Sequence, residues 1–241
     1  MARASDGHTF ALVVSTHASL PAINRKLPYD TLRDIVPISL IGRIPLILVA
    51  KLGLPANTLP ELVALAKERP GALNYAHPGI GLSHHFAGEL LKQRGGINIV
   101  PVAYRGAAPA LTDVIAGQID MTFATTPSVR DPVESRLVRA LASTGSQRSM
   151  PSVPTFAEVG FEGFDVSEWY GIVGPAGTPP GVVARLSAEI NHALEDSQLQ
   201  DWLRANALQR GATTPEGFRD FVAKEIERSK VIAETAKISV E

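Results

Sequence analysis

The chain has 241 residues, of which 45% are hydrophobic and 20% charged, so it is long enough for one large or two small globular domains. The 23 lysine and arginine residues balance 24 aspartate and glutamate residues, which argues against general binding to nucleic acid or anionic membranes. The sequence contains no cysteine, which excludes disulfides, thiolate nucleophiles and cysteine-ligated metal centres.

The start of the sequence does not have the pattern of a signal peptide. Residues 1–7 contain one basic residue but no apolar segment before the turn signal Asp6-Gly7. The most apolar stretch, residues 35–50, is interrupted by Pro37, Arg43 and Pro45 and is too short to cross a bilayer as a helix. We therefore expect neither a leader nor a membrane span in this sequence.

Short apolar segments alternate with segments of helical periodicity, which is typical of α/β proteins with parallel strands. Most of these segments are apolar throughout, as expected when helices cover both faces of a sheet. The predicted strands are residues 10–14, 38–41, 46–50, 73–76, 99–103, 119–124, 138–142 and 169–173. The predicted helix starts are Thr58 (a capping box with Glu61), Ser83, Pro109, Thr155, Thr178-Pro179, Ser197 and Thr214-Pro215.

The character of the chain changes twice, which predicts a domain inserted into another domain. Residues 1–70 and 166–241 would form the first domain, whose C-terminal part is almost all helical. Residues 71–165 form a series of short βα units rich in glycine and would be the second, inserted α/β domain.

The most informative local feature is the segment Tyr75–His85, which follows a predicted strand and begins a predicted helix. Gly79 and Gly81 allow backbone N–H groups and the helix dipole to converge on a carboxylate or phosphate. The segment is not a full dinucleotide fingerprint, since His84 stands where the third glycine would be. A tight turn that binds nothing explains the two glycines equally well.

Other strand ends carry similar residues. Tyr104–Ala107 repeats the glycine-containing junction, Thr16 and His17 follow the first strand, and Thr125 ends a later one. Such residues at several strand ends indicate a ligand crevice and do not describe a catalytic centre. Trp169 is typical of a core residue, although it could also stack on a ligand.

Motifs for catalysis or metal binding are incomplete. A nucleophile elbow needs a glycine where the sequence has His85, and His85 with Glu89 could share a metal but lacks a third ligand. His77 has no partner that the sequence identifies. We predict no catalytic residue, no metal and no cofactor. An α/β enzyme with His84 or His85 as general base on an anionic metabolite is the alternative.

Taken together, several motifs resemble the Bug family, the TctC-type substrate-binding receptors of tripartite tricarboxylate transporters. The resemblance runs from Asp6 to the C-terminus. It rests on Asp6–Thr9, Lys26–Asp30, Tyr75–Glu89, Tyr104–Asp113, Gly117–Asp120, Val153–Gly160 and Gly174–Pro179.

The resemblance implies a two-domain, periplasmic-binding-protein-like α/β fold that closes on its ligand like a flytrap. Because family members begin with a signal peptide and two further β-α units, it also implies a truncated N-terminus and an incomplete first domain. The implied function is that of a periplasmic receptor, not an enzyme, that binds a di- or tricarboxylate or a related organic acid and delivers it to membrane permease subunits. A monomer is expected, and a sensor without a transport role is a second alternative.

The residues expected to line the site are carried over from these motifs. They are Thr16, His17, Gly79, Gly81, Ser83, His85, Tyr104, Gly106, Ala107, Thr125 and Trp169. Leu82 and His84 stand where the family often has hydroxyl or amide side chains, and Ala124 where an acidic residue is common. These departures imply a less polar ligand than an amino acid.

Overall fold

The computed structural model describes residues 7–24 and 26–239. The segment considered for a leader therefore lies, except for Gly7, outside the described residues, as does Asp6 of the first motif. The strands are β1 (Ala11–Val14), β2 (Ile35–Lys51), β3 (Asn74–His77), β4 (Val100–Ala103), β5 (Met121–Thr125), β6 (Val138–Ser143), β7 (Ser167–Pro175) and β8 (Gln209–Arg210). The helices are α1 (Thr16–Ile23), α2 (Leu59–Glu68), α3 (Ser83–Gly95), α4 (Ala107–Ile115), α5 (Thr126–Glu134), α6 (Pro180–Ala193), α7 (Ser197–Ala205) and α8 (Pro215–Ala236).

The chain folds into two compact units. Unit 1 consists of the described residues up to Ile44 and from Glu168 onward, and unit 2 is Pro45–Ser167. The first division falls at Pro45 rather than near residue 70, because the second half of β2 pairs with β5 and β6 of unit 2. The second division, at Glu168, lies close to the predicted one.

Unit 1 is built on a sheet in which β7 lies between β1 and the first part of β2. β1 runs antiparallel to β7, and β8 pairs antiparallel with β2 at Gly42 and Arg43. Trp169 of β7 packs edge-on against Phe218 and Phe221 of α8, and these rings form part of the apolar core of the unit. Helix α1 packs against α8.

Unit 2 contains the parallel strands that the sequence predicts, but only three of them. β3 runs parallel to β4 and to β5, whereas β2 runs antiparallel to both β5 and β6. The strand order is therefore β6-β2-β5-β3-β4. Helix α3 packs on β3 and β5, and α4 packs on β5. The parallel order matters because it brings three strand ends to one edge.

The apolar stretch at residues 35–50 forms a single long strand, β2. Pro45 falls between Arg43, which is paired with β8, and Leu46, which is paired with β5, so its missing N–H lies where the strand changes partners. The two separate strands predicted here are therefore one. Within residues 7–24 and 26–239, no helix combines the length and the apolar character needed to cross a membrane.

Candidate functional site

Three strand-to-helix junctions meet at one edge of the unit 2 sheet, which we call the carboxyl edge. It consists of the ends of β3, β4 and β5 with the first turns of α3, α4 and α5. His77 and Ala103, the last residues of β3 and β4, are direct register partners, and β5 runs parallel beside them. The helix that follows each of these strands therefore begins at the carboxyl edge, and all three helix N-termini lie there.

The junction between β3 and α3 is held by a glycine turn. Gly81 has a φ of +85°, a conformation that glycine adopts without a steric penalty. Its N–H donates to Nδ1 of His85, at 3.5 Å, in the first turn of α3. The N-cap is Leu82 and not Ser83, which is the first helical residue. The prediction that Ser83 caps this helix is therefore wrong, because Leu82 holds the extended backbone that precedes it.

The junction between β4 and α4 has a second glycine in an unusual conformation. Gly106, the N-cap of α4, has a φ of +119° and is followed by Ala107 as the first helical residue. The helix thus starts before Pro109, which was predicted to begin it. The Tyr104 hydroxyl donates to Asp113 at 2.6 Å, and this bond raises the pKa of Tyr104 to about 12. The ring is held against α4 with its hydroxyl already bound.

The junction between β5 and α5 has no loop, since Thr125 ends the strand and is also the N-cap. Its hydroxyl shares a hydrogen bond of 2.8 Å with the hydroxyl of Ser128. The first helical residue, Thr126, is buried. Thr125 therefore lies at the carboxyl edge, at the end of a strand as the sequence predicts.

The three helices of the carboxyl edge differ from α2, α7 and α8 in how their N-termini are satisfied, and α1 and α6 resemble the three edge helices in this respect. Thr58, Asp196 and Thr214 cap α2, α7 and α8 by accepting backbone N–H groups with their side chains. Within the described part of the chain, the N-caps of α3, α4 and α5 make no side-chain capping bond, and no acidic residue lies in their first turns. Helix N-termini without such acceptors attract anions through their N–H groups and dipole.

Three buried histidines lie at this edge, His77 at the end of β3 and His84 and His85 in the first turn of α3. The rings of His77 and His85 stack with centroids 4.3 Å apart, and the Nδ1 of His84 lies 3.3 Å from the Ser83 hydroxyl. Burial lowers the pKa of His85 and of His84 to about 4, with a smaller contribution from His77 in both cases. Burial also lowers the pKa of His77, although the backbone at Gly79 and the Glu89 carboxylate oppose this.

Glu89 belongs to a hydrogen-bonded network with Tyr75 and Lys92. It accepts the Tyr75 hydroxyl at 2.8 Å and pairs with Lys92 Nζ at 2.8 Å. Burial, followed by the charge of Glu89, raises the pKa of Tyr75. No group of three potential metal-ligating side chains comes together within the ranges that the structure describes.

The three predicted site residues that belong to unit 1 lie in α1 and β7. Thr16 begins α1, and His17 is buried beside it with its pKa lowered by burial to about 4. The preceding Ser15 donates its N–H to the carboxylate of Glu168. Trp169 is fully buried in the core of unit 1 and presents no surface to a ligand.

The structure thus brings eight of the predicted residues to the carboxyl edge of unit 2. They are Gly79, Gly81, Ser83, His85, Tyr104, Gly106, Ala107 and Thr125. His77 also belongs to this group and was not predicted from the sequence. The available signal was the glycine turn, which reverses the chain and brings the end of β3 beside the first turn of α3.

Several known proteins are similar to this chain in both sequence and fold. Protein BugT of Bordetella pertussis is 35% identical over 238 residues, which cover 96% of this chain and 73% of BugT. The structure of the periplasmic binding protein BugD is 27% identical, with a TM-score of 0.86, and the match covers 100% of this chain and 82% of that one. These likenesses confirm the α/β, periplasmic-binding-protein fold class.

Two similar structures contain carboxylate ligands. An R. palustris protein with adipate is 30% identical, with a TM-score of 0.89 over 99% of this chain and 81% of that one. MatC from Rhodopseudomonas palustris with bound malate is 29% identical, with a TM-score of 0.81 over 95% and 80%. The family model named TctC, tripartite tricarboxylate transporter family receptor, matches residues 1–238. This chain belongs to that receptor family.

Proposed function

We propose that this protein is a periplasmic receptor that binds a small dicarboxylate at the carboxyl edge and delivers it to the permease of a tripartite tricarboxylate transporter. The observation that carries the proposal is the meeting of three helix N-termini whose N-cap side chains, within the described residues, make no capping bond. Each N-terminus contributes about half a positive charge together with N–H donors. A carboxylate supplies the matching acceptors.

Two features favour a dicarboxylate without an amino group. The similar proteins solved with adipate and with malate both hold dicarboxylic acids. At the carboxyl edge, β5 ends in Ala124 and Thr125, so the strand offers no carboxylate for a ligand ammonium group. Binding without chemistry is the expected activity, because His85 is engaged by the Gly81 N–H and by the ring of His77.

Binding is tested by calorimetry with the whole chain against adipate, malate and succinate, with butyrate and glutamate as matched controls. At least one dicarboxylate should bind, and it should raise the melting temperature as ligand is added. Butyrate, which has one carboxylate fewer, and glutamate, which adds an ammonium group, should each bind at least about tenfold more weakly. A cooperative melt that no dicarboxylate shifts would contradict the proposal.

Delivery to a permease is tested separately in cells. Deleting the gene should abolish uptake of the radiolabelled acid that binds, and deleting the permease genes should give the same loss. The protein should appear in the fraction released by osmotic shock. Normal uptake without the gene, together with a lost transcriptional response to the acid, would instead support the sensor alternative.

A further inference from the structure

A stacked pair of buried imidazoles lies at the carboxyl edge. His77 is the last residue of β3 and is 3% exposed, while His85 in the first turn of α3 is 6% exposed. Their rings are 4.3 Å apart and inclined by 27°. The Nδ1 of His85 accepts the Gly81 N–H, whereas the Nδ1 of His77 is buried without a hydrogen-bond partner among the described residues. A buried polar atom without a partner carries a free-energy cost that a bound ligand can remove.

The ionisable groups around the pair act in opposite directions. The negative charge of Glu89 favours a proton on His77, and the positive charge of Lys92 disfavours one on His85. On α3, His84 adds a third ring, and Tyr75 of β3 lies 6.0 Å from His77. On the other elements around β3, strands β4 and β5 carry no ionisable side chain, and the one such residue of α4, Asp113, is bound to Tyr104.

We propose that a dicarboxylate bound at the carboxyl edge places one proton on the His77–His85 pair, and that His77 thereby selects ligands of double negative charge. This inference rests on the proposed function. Before binding, burial favours the neutral form of both rings by lowering the pKa of each. A carboxylate that enters the same environment favours the imidazolium form, typically raising a neighbouring pKa by about 1 to 3. The pair holds a single proton because two positive rings in contact repel each other.

The charged form of His77 gives its buried Nδ1–H a carboxylate to bind, and the backbone at Gly79 also favours this form. An imidazolium donates from both ring nitrogens, and its hydrogen bonds to a carboxylate are charge-assisted. The stack on His85 fixes the ring while it donates. His77 is therefore a specificity-determining residue of this receptor, and the proton enters with the ligand.

The experiment measures proton uptake with adipate as the probe. Calorimetric titrations at pH 6.5 in buffers of different ionisation enthalpy give the number of protons bound with the ligand. About one proton should be taken up per adipate, and the affinity should fall by up to about tenfold for each unit of rising pH. Carboxylic acids have a pKa of about 4.3, so the ligand itself contributes little at this pH.

Two variants locate the proton. His77→Asn keeps a polar side chain but cannot titrate, and it should bind adipate about tenfold more weakly at pH 6.5 and without proton uptake. His192→Asn removes an exposed imidazole of α6, in unit 1, and should leave the proton count unchanged. Equal uptake by the unsubstituted protein and by His77→Asn would overturn the inference.

The outcomes separate this inference from the proposed function. Adipate binding with no dependence on the buffer would overturn the proton inference and leave the receptor function standing. No binding by adipate, malate or succinate would remove both. Should His77→Asn fail to fold, the imidazole nitrogen-15 signals of the unsubstituted protein decide the question, since one ring must change to the cationic form when adipate is added. Rings that all stay neutral would refute it.

Discussion

Ser15 donates both its backbone N–H and its hydroxyl to the carboxylate of Glu168, at 3.1 and 2.8 Å, across 153 positions of the sequence. Ser15 precedes α1 and Glu168 lies in β7, so the two bonds join the beginning of unit 1 to its returning strand. At the N-terminus of α1, the donors of Ser15 are thus bound by a carboxylate of the protein itself. This is the interaction that the carboxyl edge of unit 2 would offer to a ligand.

Glu168→Ala should destabilise unit 1 because it leaves two donors of the buried Ser15 without their acceptor. The expected loss is about 1 to 3 kcal/mol in the free energy of unfolding, measured by urea denaturation. Glu168→Gln keeps an acceptor oxygen and should lose less. Glu189→Ala, at an exposed position of α6, is the matched control and should change stability by under about 0.5 kcal/mol. Equal effects of the two alanine variants would refute the assigned role of Glu168.

Gly88→Ala should destabilise unit 2, although alanine is normally the better helix former by about 1 kcal/mol. A Cβ atom at Gly88 would overlap Cε2 of the fully buried Tyr75 ring, so the ring or the helix must move. In α6, a Cβ at Gly181 would meet nothing within 4 Å among the described residues. Gly181→Ala should therefore raise the melting temperature while Gly88→Ala lowers it, and a thermal melt of each decides.

Stability should fall as the pH drops below about 6.5, in part because of His17. Burial lowers the pKa of this imidazole from 6.5 to about 4, so between these values the unfolded chain binds a proton that the folded protein does not. The stabilisation is complete above pH 6.5 and is lost as the pH falls towards 4. Between pH 7.5 and 5.5, His17→Gln should lose about 1 kcal/mol less than the unsubstituted protein in urea unfolding. An identical pH dependence in both proteins would exclude His17 as a source.

Gly106→Ala should weaken adipate binding, because alanine at a φ of +119° forces the backbone at the N-terminus of α4 to shift its N–H groups. An affinity loss of about tenfold or more is expected by calorimetry. Gly96→Ala strains a left-handed glycine at the other end of α3, where φ is +59°. That variant should lower stability and leave the affinity unchanged. If both variants bind adipate as well as the unsubstituted protein does, α4 does not hold the ligand.

Local signals in the sequence located most of the helices and the glycine junctions. Thr58 is confirmed as the N-cap of α2, since it accepts from the Glu61 N–H, but Glu61 accepts from the Asn57 N–H and not from that of Thr58, so the reciprocal bond of the predicted capping box is displaced by one residue. Ser197 was wrongly predicted as an N-cap, because the neighbouring Asp196 accepts the Leu199 N–H instead. This difference is one residue long, as expected where two neighbouring polar residues compete for one capping position.

Two helices and the course of β2 depend on tertiary interactions and were not predicted. Helices α1 and α5 contain Pro21 and Pro132, which argue against helix when only the sequence is read. Packing of α1 on α8 and of α5 on β5 and β6 stabilises them nevertheless. In the same way, the contact between His77 and His85 follows from the turn at Gly81, which no periodicity in the sequence reveals.

The helix starts at the carboxyl edge have a consequence for how this receptor can change its ligand. Donors that belong to the main chain remain in place when most side chains are exchanged, so the capacity to hold an anion persists through most substitutions of α3, α4 and α5, the glycine turns excepted. By our proposal, the side chain of His77 then determines which acid is accepted. New specificities can arise at this edge one residue at a time, without a stage in which anion binding has to be rebuilt.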